Sequence, residues 1–251
     1  MGLVVGSLVI SACAAPSRIV VGAGTTVVDS GLMAALEAQF GNELAVLGGS
    51  TAEVLRLADQ GSTSVAIVHD EVQEAAFVAA HPEVERRPVF SSRFLLVGPP
   101  DLVAQITADT TPAAAFAEIA SNWVFISRDD RSGTHARELA IWHDAAIEPG
   151  GSWYTTTGQG MGFTLQVADQ RRAFTLVEEG AFLAARDTLT LGVVALADDA
   201  GMVNPYSAVL IDETGRDFFE WLTGPAGWAA VVEANTQVFG RVVYAPSGDG
   251  E

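Results

Sequence analysis

Residues 127–135, which read Ser-Arg-Asp-Asp-Arg-Ser-Gly-Thr-His, combine groups that suit the binding of a small anion. An apolar run at 123–126 precedes them and is typical of a buried strand, and residues 136–142 carry apolar side chains at helical spacing. A loop at such a junction presents free backbone N–H groups and the positive end of a helix dipole. Arg128 adds a planar, permanently charged guanidinium suited to oxyanions. The alternative interpretation is a capped helix start on an acidic loop.

Three further stretches rich in Gly, Ser or Thr lie between a predicted strand and a predicted helix. The first contains Thr25 and Thr26, the second Ser50 and Thr51, and the third is the glycine-rich segment 157–162. Ser50, with Glu three residues later, predicts a capping box and leaves Thr51 free to face a cleft. Because ligands of α/β proteins bind at the carboxyl ends of strands, we expect the four loops to line one cleft.

Other chemistries find little support in the residue patterns. The glycines of 157–162 do not have the Gly-x-Gly-x-x-Gly spacing of a dinucleotide site. Residues 49–52 resemble a nucleophile elbow only faintly, because the second glycine is absent. His69 and His81 have no partners at metal-ligand spacing, and we predict structural or surface roles for them. His135 is near Ser132 in sequence, but no acid is placed to orient it, so we predict neither an enzyme nor a metal site.

The balance of charge excludes several kinds of partner. The formal net charge is −18, and the 13 basic residues are all arginine. A chain this acidic is a poor candidate for binding nucleic acid or an anionic lipid surface through its charge. An anion site must therefore be built locally, from backbone amides and a few arginines. Salt screens the repulsion between a bound anion and exposed charges that lie more than about 8–10 Å away.

The single cysteine, Cys13, follows an apolar and small-residue stretch that ends Leu-Val-Ile-Ser-Ala. This order of an aliphatic residue, two small residues and a cysteine resembles the lipobox of bacterial lipoproteins, in which the cysteine carries the lipid. The alternative is a truncated ordinary signal peptide, since the basic segment that opens such peptides is missing. We expect residues 1–17 to be a signal and tether, with an extracytoplasmic protein attached to the membrane only through Cys13. The run is too short to span a bilayer.

Predicted strands and helices alternate along the chain, which indicates an α/β fold with mostly parallel sheets. The predicted strands are 18–22, 44–47, 65–68, 93–98, 123–126, 173–177 and 189–197. The predicted helices begin near 32, 51, 72, 107, 136, 162, 178, 218 and 228. We place crossovers between two lobes near 98 and 205, so that lobe 1 comprises 18–97 and 205–251 and lobe 2 comprises 98–204. The cleft between such lobes can close on a ligand.

Short stretches spread in order over most of residues 20–210 match one known family. They are 29–32, 65–69, 97–99, 127–138, 153–154, 157–162, 174–176 and 204–206. On these residues the chain resembles the tungstate-binding solute receptors of ABC transporters, within the periplasmic-binding-protein superfamily. The loop at 128–134 also looks like the phosphate-receptor loop of that superfamily, whereas the glycine-rich segment and the match after Thr134 favour the tungstate family.

The resemblance implies a two-lobed, type II periplasmic-binding-protein-like fold that closes around a tetrahedral oxyanion and delivers it to a membrane permease. We also expect a monomeric receptor with no cofactor, no metal cation and no catalytic step. The resemblance also implies that hydroxyls, backbone amides and one arginine hold the ligand. Carried over to this sequence, those residues are Thr25, Thr26, Thr51, Arg128, Ser132, Gly133 and Thr134.

Three departures from the family pattern bear on the ligand. The family's Thr-Thr-Thr-Ser run is reduced to Ala-Gly-Thr-Thr-Val at 23–27, which removes two or three hydroxyls. Asp129 stands where the family has Gly, and 61–64 read Gly-Ser-Thr-Ser instead of Gly-Asp-Ala-Asp. Asp130 either locks Arg128 in place or accepts a proton from a protonated ligand, and we prefer the locking role.

Three classes of function follow. The first is a receptor for tungstate, with molybdate and then phosphate as alternative ligands. The second is an enzyme, for which no nucleophile–base pair is predicted. The third is a sensory lipoprotein with the same fold and a degenerate site, which the reduced loop at 23–27 makes conceivable.

Overall fold

A computed structural model describes residues 18–197 and 200–247. The strands are β1 Ile19–Gly24, β2 Leu44–Gly49, β3 Val65–Val68, β4 Glu85–Gly98, β5 Phe125–Ser127, β6 Tyr154–Thr156, β7 Thr175–Glu178, β8 Gly192–Val193, β9 Val203–Leu210 and β10 Ala245–Pro246. The helices are α1 Thr25–Asp29, α2 Leu32–Phe40, α3 Thr51–Asp59, α4 Glu71–Ala80, α5 Pro100–Val103, α6 Pro112–Asn122, α7 Gly133–Asp144, α8 Met161–Arg171, α9 Glu179–Ala185, α10 Arg216–Leu222 and α11 Pro225–Ala234.

The main sheet is mixed. β1 pairs in parallel with β2 and β3, and β5 pairs in parallel with β6 in a second, two-stranded sheet. β9 runs antiparallel to both β3 and β4, and β7, β8 and β10 pair antiparallel with β4. The prediction of mostly parallel sheets is therefore wrong for the part of the sheet built on β4 and β9. A chain that leaves one core along β4 and returns along β9 must run in the opposite direction.

Buried side chains form separate cores, and β4 and β9 pass from one to the next. Phe90 of β4 and Tyr206 of β9 belong to a core with α2, α10 and α11. Phe94 of β4 and Met202, just before β9, belong to a second core with α6 and α7. The fold is thus α/β and two-lobed, with two strands connecting the lobes. The predicted lobe boundaries at 97/98 and 204/205 stay predictions.

Most predicted elements are confirmed, and four differ. β4 is longer than the strand predicted at 93–98, because it begins at Glu85. The segment predicted as a strand at 189–197 forms only the two residues of β8. The helix expected from 107 begins at Pro112, because the Thr111 side chain caps it by accepting from the N–H of Ala114 at 3.2 Å and proline suits the first helical position. The loop expected after β1 contains the short helix α1.

Cys13 and the predicted tether at 1–17 lie outside the described residues. Within 18–197 and 200–247, none of the helices combines the length and apolar character that crossing a membrane requires.

Candidate functional site

Arg128 directly follows β5 and is the centre of the candidate site. Its side chain is only 1% exposed. Nε and Nη2 both donate to Oδ2 of Asp130, at 3.1 and 2.5 Å, and Nη2 also donates to Oγ1 of Thr25 at 3.1 Å. Thr25 is the first residue of α1, so this contact joins the loop after β5 to the loop after β1. The loop at 127–135 and the segment that contains Thr25 and Thr26 therefore meet.

The other oxygen of Asp130 organises the start of α7. Oδ1 accepts from the backbone N–H of Ser132 at 3.2 Å and from its hydroxyl at 2.6 Å. The Ser132 oxygen in turn accepts from the N–H of His135 at 3.3 Å, which makes Ser132 the N-cap of the helix. One carboxylate thus fixes Arg128 and the helix start together. This geometry agrees with the locking role predicted for Asp130.

Three buried polar atoms of the predicted ligand residues have no hydrogen-bond partner among the described residues. They are Nη1 of Arg128, Oγ1 of Thr51 and Oγ1 of Thr134. Thr51 is the first residue of α3, and Thr134 is the second residue of α7. A buried polar atom without a partner costs about 1–3 kcal/mol, so proteins rarely keep one without a use for it. All three belong to residues that the sequence analysis named as ligand donors.

Two other predicted residues already have protein partners. The hydroxyl of Thr26 lies 2.9 Å from the phenol oxygen of Tyr206 on β9, and the hydroxyl of Ser132 donates to Asp130. Both side chains are buried. They hold the loops on which Thr25 and Thr134 stand.

Gly133, the first residue of α7, lies against the end of β3. A Cβ at this position would overlap the main-chain oxygen of His69 and come within 2.6 Å of its Nδ1. The glycine is needed here for space, because Gly133 is not among the glycines with positive φ. The close approach brings the amino-terminal amides of α7 next to β3.

A cavity of about 630 Å³ opens beside Thr25 and Asp130, two hydrogen-bond partners of Arg128. Thr25, Ser50 and Arg56 line one side, and Asp129, Arg131 and the glycine-rich loop at 158–160 line the other. Arg128 contacts two of the lining residues, Thr25 and Asp130. The cavity is therefore bordered by all four Gly-, Ser- and Thr-rich loops, as the sequence analysis expected.

The capping box predicted for α3 is present. Ser50 accepts from the N–H of Glu53 at 3.3 Å, and the Glu53 carboxylate accepts from the N–H of Ser50 at 3.0 Å. Ser50 is occupied as a cap, whereas the hydroxyl of Thr51 has no partner within 18–197 and 200–247.

Carboxylates around the guanidinium shape the local electrostatics. Burial raises the pKa of Asp29, and the positive charge of Arg128 offsets part of that rise. Burial also lowers the pKa of His135, although Asp129 and Asp130 oppose the change. Asp129 has a φ of 49°, in the left-handed region that favours glycine. Glycine would adopt this conformation without strain, and the Asp129 that stands here lines the cavity.

The Ser132 and His135 side chains do not form a nucleophile–base pair. The Ser132 hydroxyl donates to Asp130, and Nδ1 of His135 accepts from the N–H of Arg131 at 3.3 Å. Within the described residues, His, Cys, Asp and Glu side chains form no cluster of three or more that could hold a metal ion.

No local sequence pattern indicated the contacts between His69 and the connecting strand β9. His69 is buried, and its Nδ1 lies 2.9 Å from Oδ1 of Asn204 on β9. Its ring stacks on Tyr206 with 4.8 Å between centroids. His69 has the structural role expected of it, but its partners are distant in sequence and nothing local indicated them.

Comparisons with known proteins give one consistent result. A family model described as a PBP superfamily domain matches residues 11–226. The tungstate-binding protein TupA of Peptoclostridium acidaminophilum is 30% identical over 249 residues, covering 93% of this chain and 87% of that protein. A crystal structure of the tungstate ABC transporter from Geobacter sulfurreducens is 31% identical with a TM-score of 0.77, covering 88% of this chain and 100% of that chain. TupA from Desulfovibrio alaskensis G20 is 27% identical with a TM-score of 0.74, covering 94% and 100%.

Proposed function

We propose that this chain is the solute receptor of an ABC transporter and binds tungstate. The chain belongs to the PBP superfamily, and within it to the family of the tungstate-binding proteins TupA. The observation that carries the proposal is that three of the predicted ligand residues have a buried polar atom without a partner in the part of the chain that the structure describes: Arg128 Nη1, Thr51 Oγ1 and Thr134 Oγ1. A tetrahedral dianion offers several acceptor oxygens, and a buried one must have them satisfied by donors.

We assign the ligand contacts to Arg128, Thr25, Thr51, Thr134 and the amide of Gly133. Thr26 and Ser132, whose hydroxyls have protein partners, contribute by holding their loops. α3 and α7 both start at the site, so their free first-turn amides and positive dipole ends add to the donors.

The donor set is sufficient for tight binding in a very acidic chain. Hydrogen bonds to charged groups contribute roughly 1.5–3 kcal/mol each, and a nanomolar site needs about 12 kcal/mol net. Arg128 is buried and held, so its charge is neither screened by solvent nor mobile.

Tungstate is the first ligand, with molybdate and then phosphate as alternatives. Tungstate carries no proton near neutral pH and needs only donors, which matches a site whose carboxylate Asp130 is occupied by Arg128 and Ser132. A panel of tungstate, molybdate, phosphate and sulfate in isothermal titration calorimetry decides the order. Failure to bind any of them would instead favour a sensory protein with a degenerate site.

Arg128→Gln tests the site itself. We expect this variant to lose measurable tungstate binding while it still folds, as judged by circular dichroism. Arg172→Gln is the matched control, because Arg172 pairs with Asp101 on the surface and leaves the cavity untouched. Unchanged affinity in Arg128→Gln would reject the proposed site.

We also propose a location and partners for the receptor. The receptor is extracytoplasmic, delivers its ligand to a membrane permease, acts as a monomer, and neither binds nucleic acid nor catalyses a reaction. Its lipid anchor is at Cys13. Metabolic labelling with a fatty acid, comparing Cys13→Ala with the unchanged chain, tests the anchor, and light scattering of the protein lacking residues 1–17 tests the monomer.

A further inference from the structure

We propose that His69 is a positioning residue for ligand binding, which sets how closely the two lobes approach without touching the oxyanion. The inference rests on the proposed function, because it states how the same site is held in its binding geometry. Its basis is that His69 contacts β9, is linked through Asn204 to β4, and lies against the start of the helix that carries Thr134.

The first group of contacts fixes the ring against the connecting strands. Nδ1 of His69 lies 2.9 Å from Oδ1 of Asn204 on β9, and Nδ2 of Asn204 donates to Oγ of Ser92 on β4 at 3.3 Å. Ser92 and Asn204 are also paired in register across the two strands. Tyr206 covers one face of the ring, at an interplanar angle of 21°. The ring therefore has one orientation relative to β4 and β9.

The second group of contacts transmits that orientation to the two ligand loops. The main chain and ring of His69 fill the space beside Gly133, where a Cβ would overlap the His69 oxygen. On the side of α1, a Cβ at Gly24 would lie 3.5 Å from Cδ2 of His69. Thr25 follows Gly24 and Thr134 follows Gly133. The position of His69 thus sets the spacing between two proposed ligand residues.

The role of His69 is geometric, since the ring carries no charge to attract an anion. Burial lowers the pKa of His69 to about 4, so the ring is neutral near pH 7. Because Oδ1 of Asn204 can only accept, the proton of the neutral ring is assigned to Nδ1. The groups that influence the ring electrostatically are Arg128, Asp70 and Asp130. A change at His69 should therefore alter affinity to the same extent at low and high salt.

His69→Leu and His69→Asn test the role as a pair. Leucine fills the space but cannot donate to Asn204, whereas the amide of asparagine can replace the Nδ1–H donor. We expect His69→Leu to weaken tungstate binding by about tenfold or more, and His69→Asn to stay within about threefold of the unchanged chain. Small-angle X-ray scattering should show that tungstate compacts the unchanged chain and His69→Asn, but compacts His69→Leu less.

Gly133→Ala gives an independent test that removes no donor and covers the case in which His69→Leu does not fold. Its added methyl group should push the lobes apart, giving a larger radius of gyration with tungstate and weaker binding. Ala120→Gly, on α6 and outside the cavity lining, controls for the backbone effect of exchanging these two residues.

Two results would overturn the inference. One is a folded His69→Leu protein with unchanged affinity and compaction, and the other is a Gly133→Ala protein that closes as the unchanged chain does. If the unchanged chain binds no oxyanion, the proposed function fails instead. The role of His69 is then decided without ligand: a radius of gyration for Gly133→Ala above that of the unchanged chain supports it, and an equal value rejects it.

Discussion

Asp130 holds Arg128 through a single carboxylate oxygen, which accepts from Nε at 3.1 Å and from Nη2 at 2.5 Å. Nη1 of the same guanidinium is left buried and without a partner among the described residues. The second oxygen of Asp130 binds the N-cap Ser132. The guanidinium and the amino terminus of α7 are thus held in one fixed relation, with one strong donor unoccupied.

This arrangement predicts that Asp130→Ala weakens tungstate binding, by about tenfold or more, because it frees Arg128 and removes the support of Ser132. Coulomb's law alone predicts the opposite sign, since the substitution removes a negative charge beside an anion. Calorimetry distinguishes the two. Tighter binding by Asp130→Ala would show that the carboxylate opposes the ligand more than it organises the site.

Asp129 provides the matched comparison, because its carboxylate borders the cavity without holding Arg128. Its side chain is 53% exposed, so its repulsion of a dianion is partly screened. We expect Asp129→Asn to bind tungstate a few-fold more tightly at low salt, with the gain shrinking as salt is added. Asp129→Gly should give the same gain and also fits the φ of 49°. A gain that does not depend on salt would contradict a charge effect.

The buried hydroxyls of Thr51 and Thr134 predict that stability and tungstate affinity do not change together when a hydroxyl is removed. In Thr51→Val and Thr134→Val a buried hydroxyl that has no partner in the described part of the chain becomes a methyl group. The ligand-free protein should therefore be as stable as before or more stable by up to about 1 kcal/mol. Tungstate affinity should fall at the same time, by about tenfold for each hydroxyl lost to a charged ligand. Thermal unfolding and calorimetry measure the two effects.

Thr63→Val is the control for that pair. Its hydroxyl is also buried and unpartnered among the described residues, but Thr63 precedes β3 at the end opposite His69. We expect the same small effect on stability and no change in affinity. Equal losses of affinity in all three variants would show that the hydroxyls act through the fold and not through the ligand.

Local patterns predicted the parts of the site that are local in the chain. The loop from Ser127 to His135 was found because strand, polar loop and helix follow one another, and the Ser50 cap because its partner is three residues away. The pairing of His69 with Asn204 spans 135 positions and leaves no such pattern.

The antiparallel direction of β4 and β9 could not be predicted from the sequence for a related reason. An apolar run at 93–98 looks the same in a parallel and an antiparallel sheet, because strand direction depends on the path of the chain between the cores. The conformation of Asp129 was likewise hidden, since a left-handed φ at a non-glycine residue depends on the contacts that hold the loop.

The buried carboxyl of Glu138 on α7 predicts how stability depends on pH. It accepts from Oη of Tyr154 at 2.7 Å and from Nε1 of Trp142 at 3.2 Å, and burial raises its pKa to about 7 from 4.5. Below pH 4.5 the carboxyl is protonated in both the folded and the unfolded chain. As pH rises toward 7 the unfolded chain releases this proton while the folded chain keeps it, so folding loses up to about 3 kcal/mol.

Glu138→Gln isolates that contribution, because glutamine keeps the acceptor oxygen and cannot ionise. The pKa values of Glu178, raised by burial to about 7, and of His69, lowered to about 4, add their own pH dependence to both proteins and cancel in the difference. Relative to the unchanged chain, the variant should gain up to about 3 kcal/mol in free energy of unfolding between pH 5 and pH 8. Urea unfolding at the two pH values measures the gain, with Glu148→Gln at an exposed position as the control for the substitution. An equal difference at both pH values would mean that Glu138 is already ionised in the folded protein at pH 5.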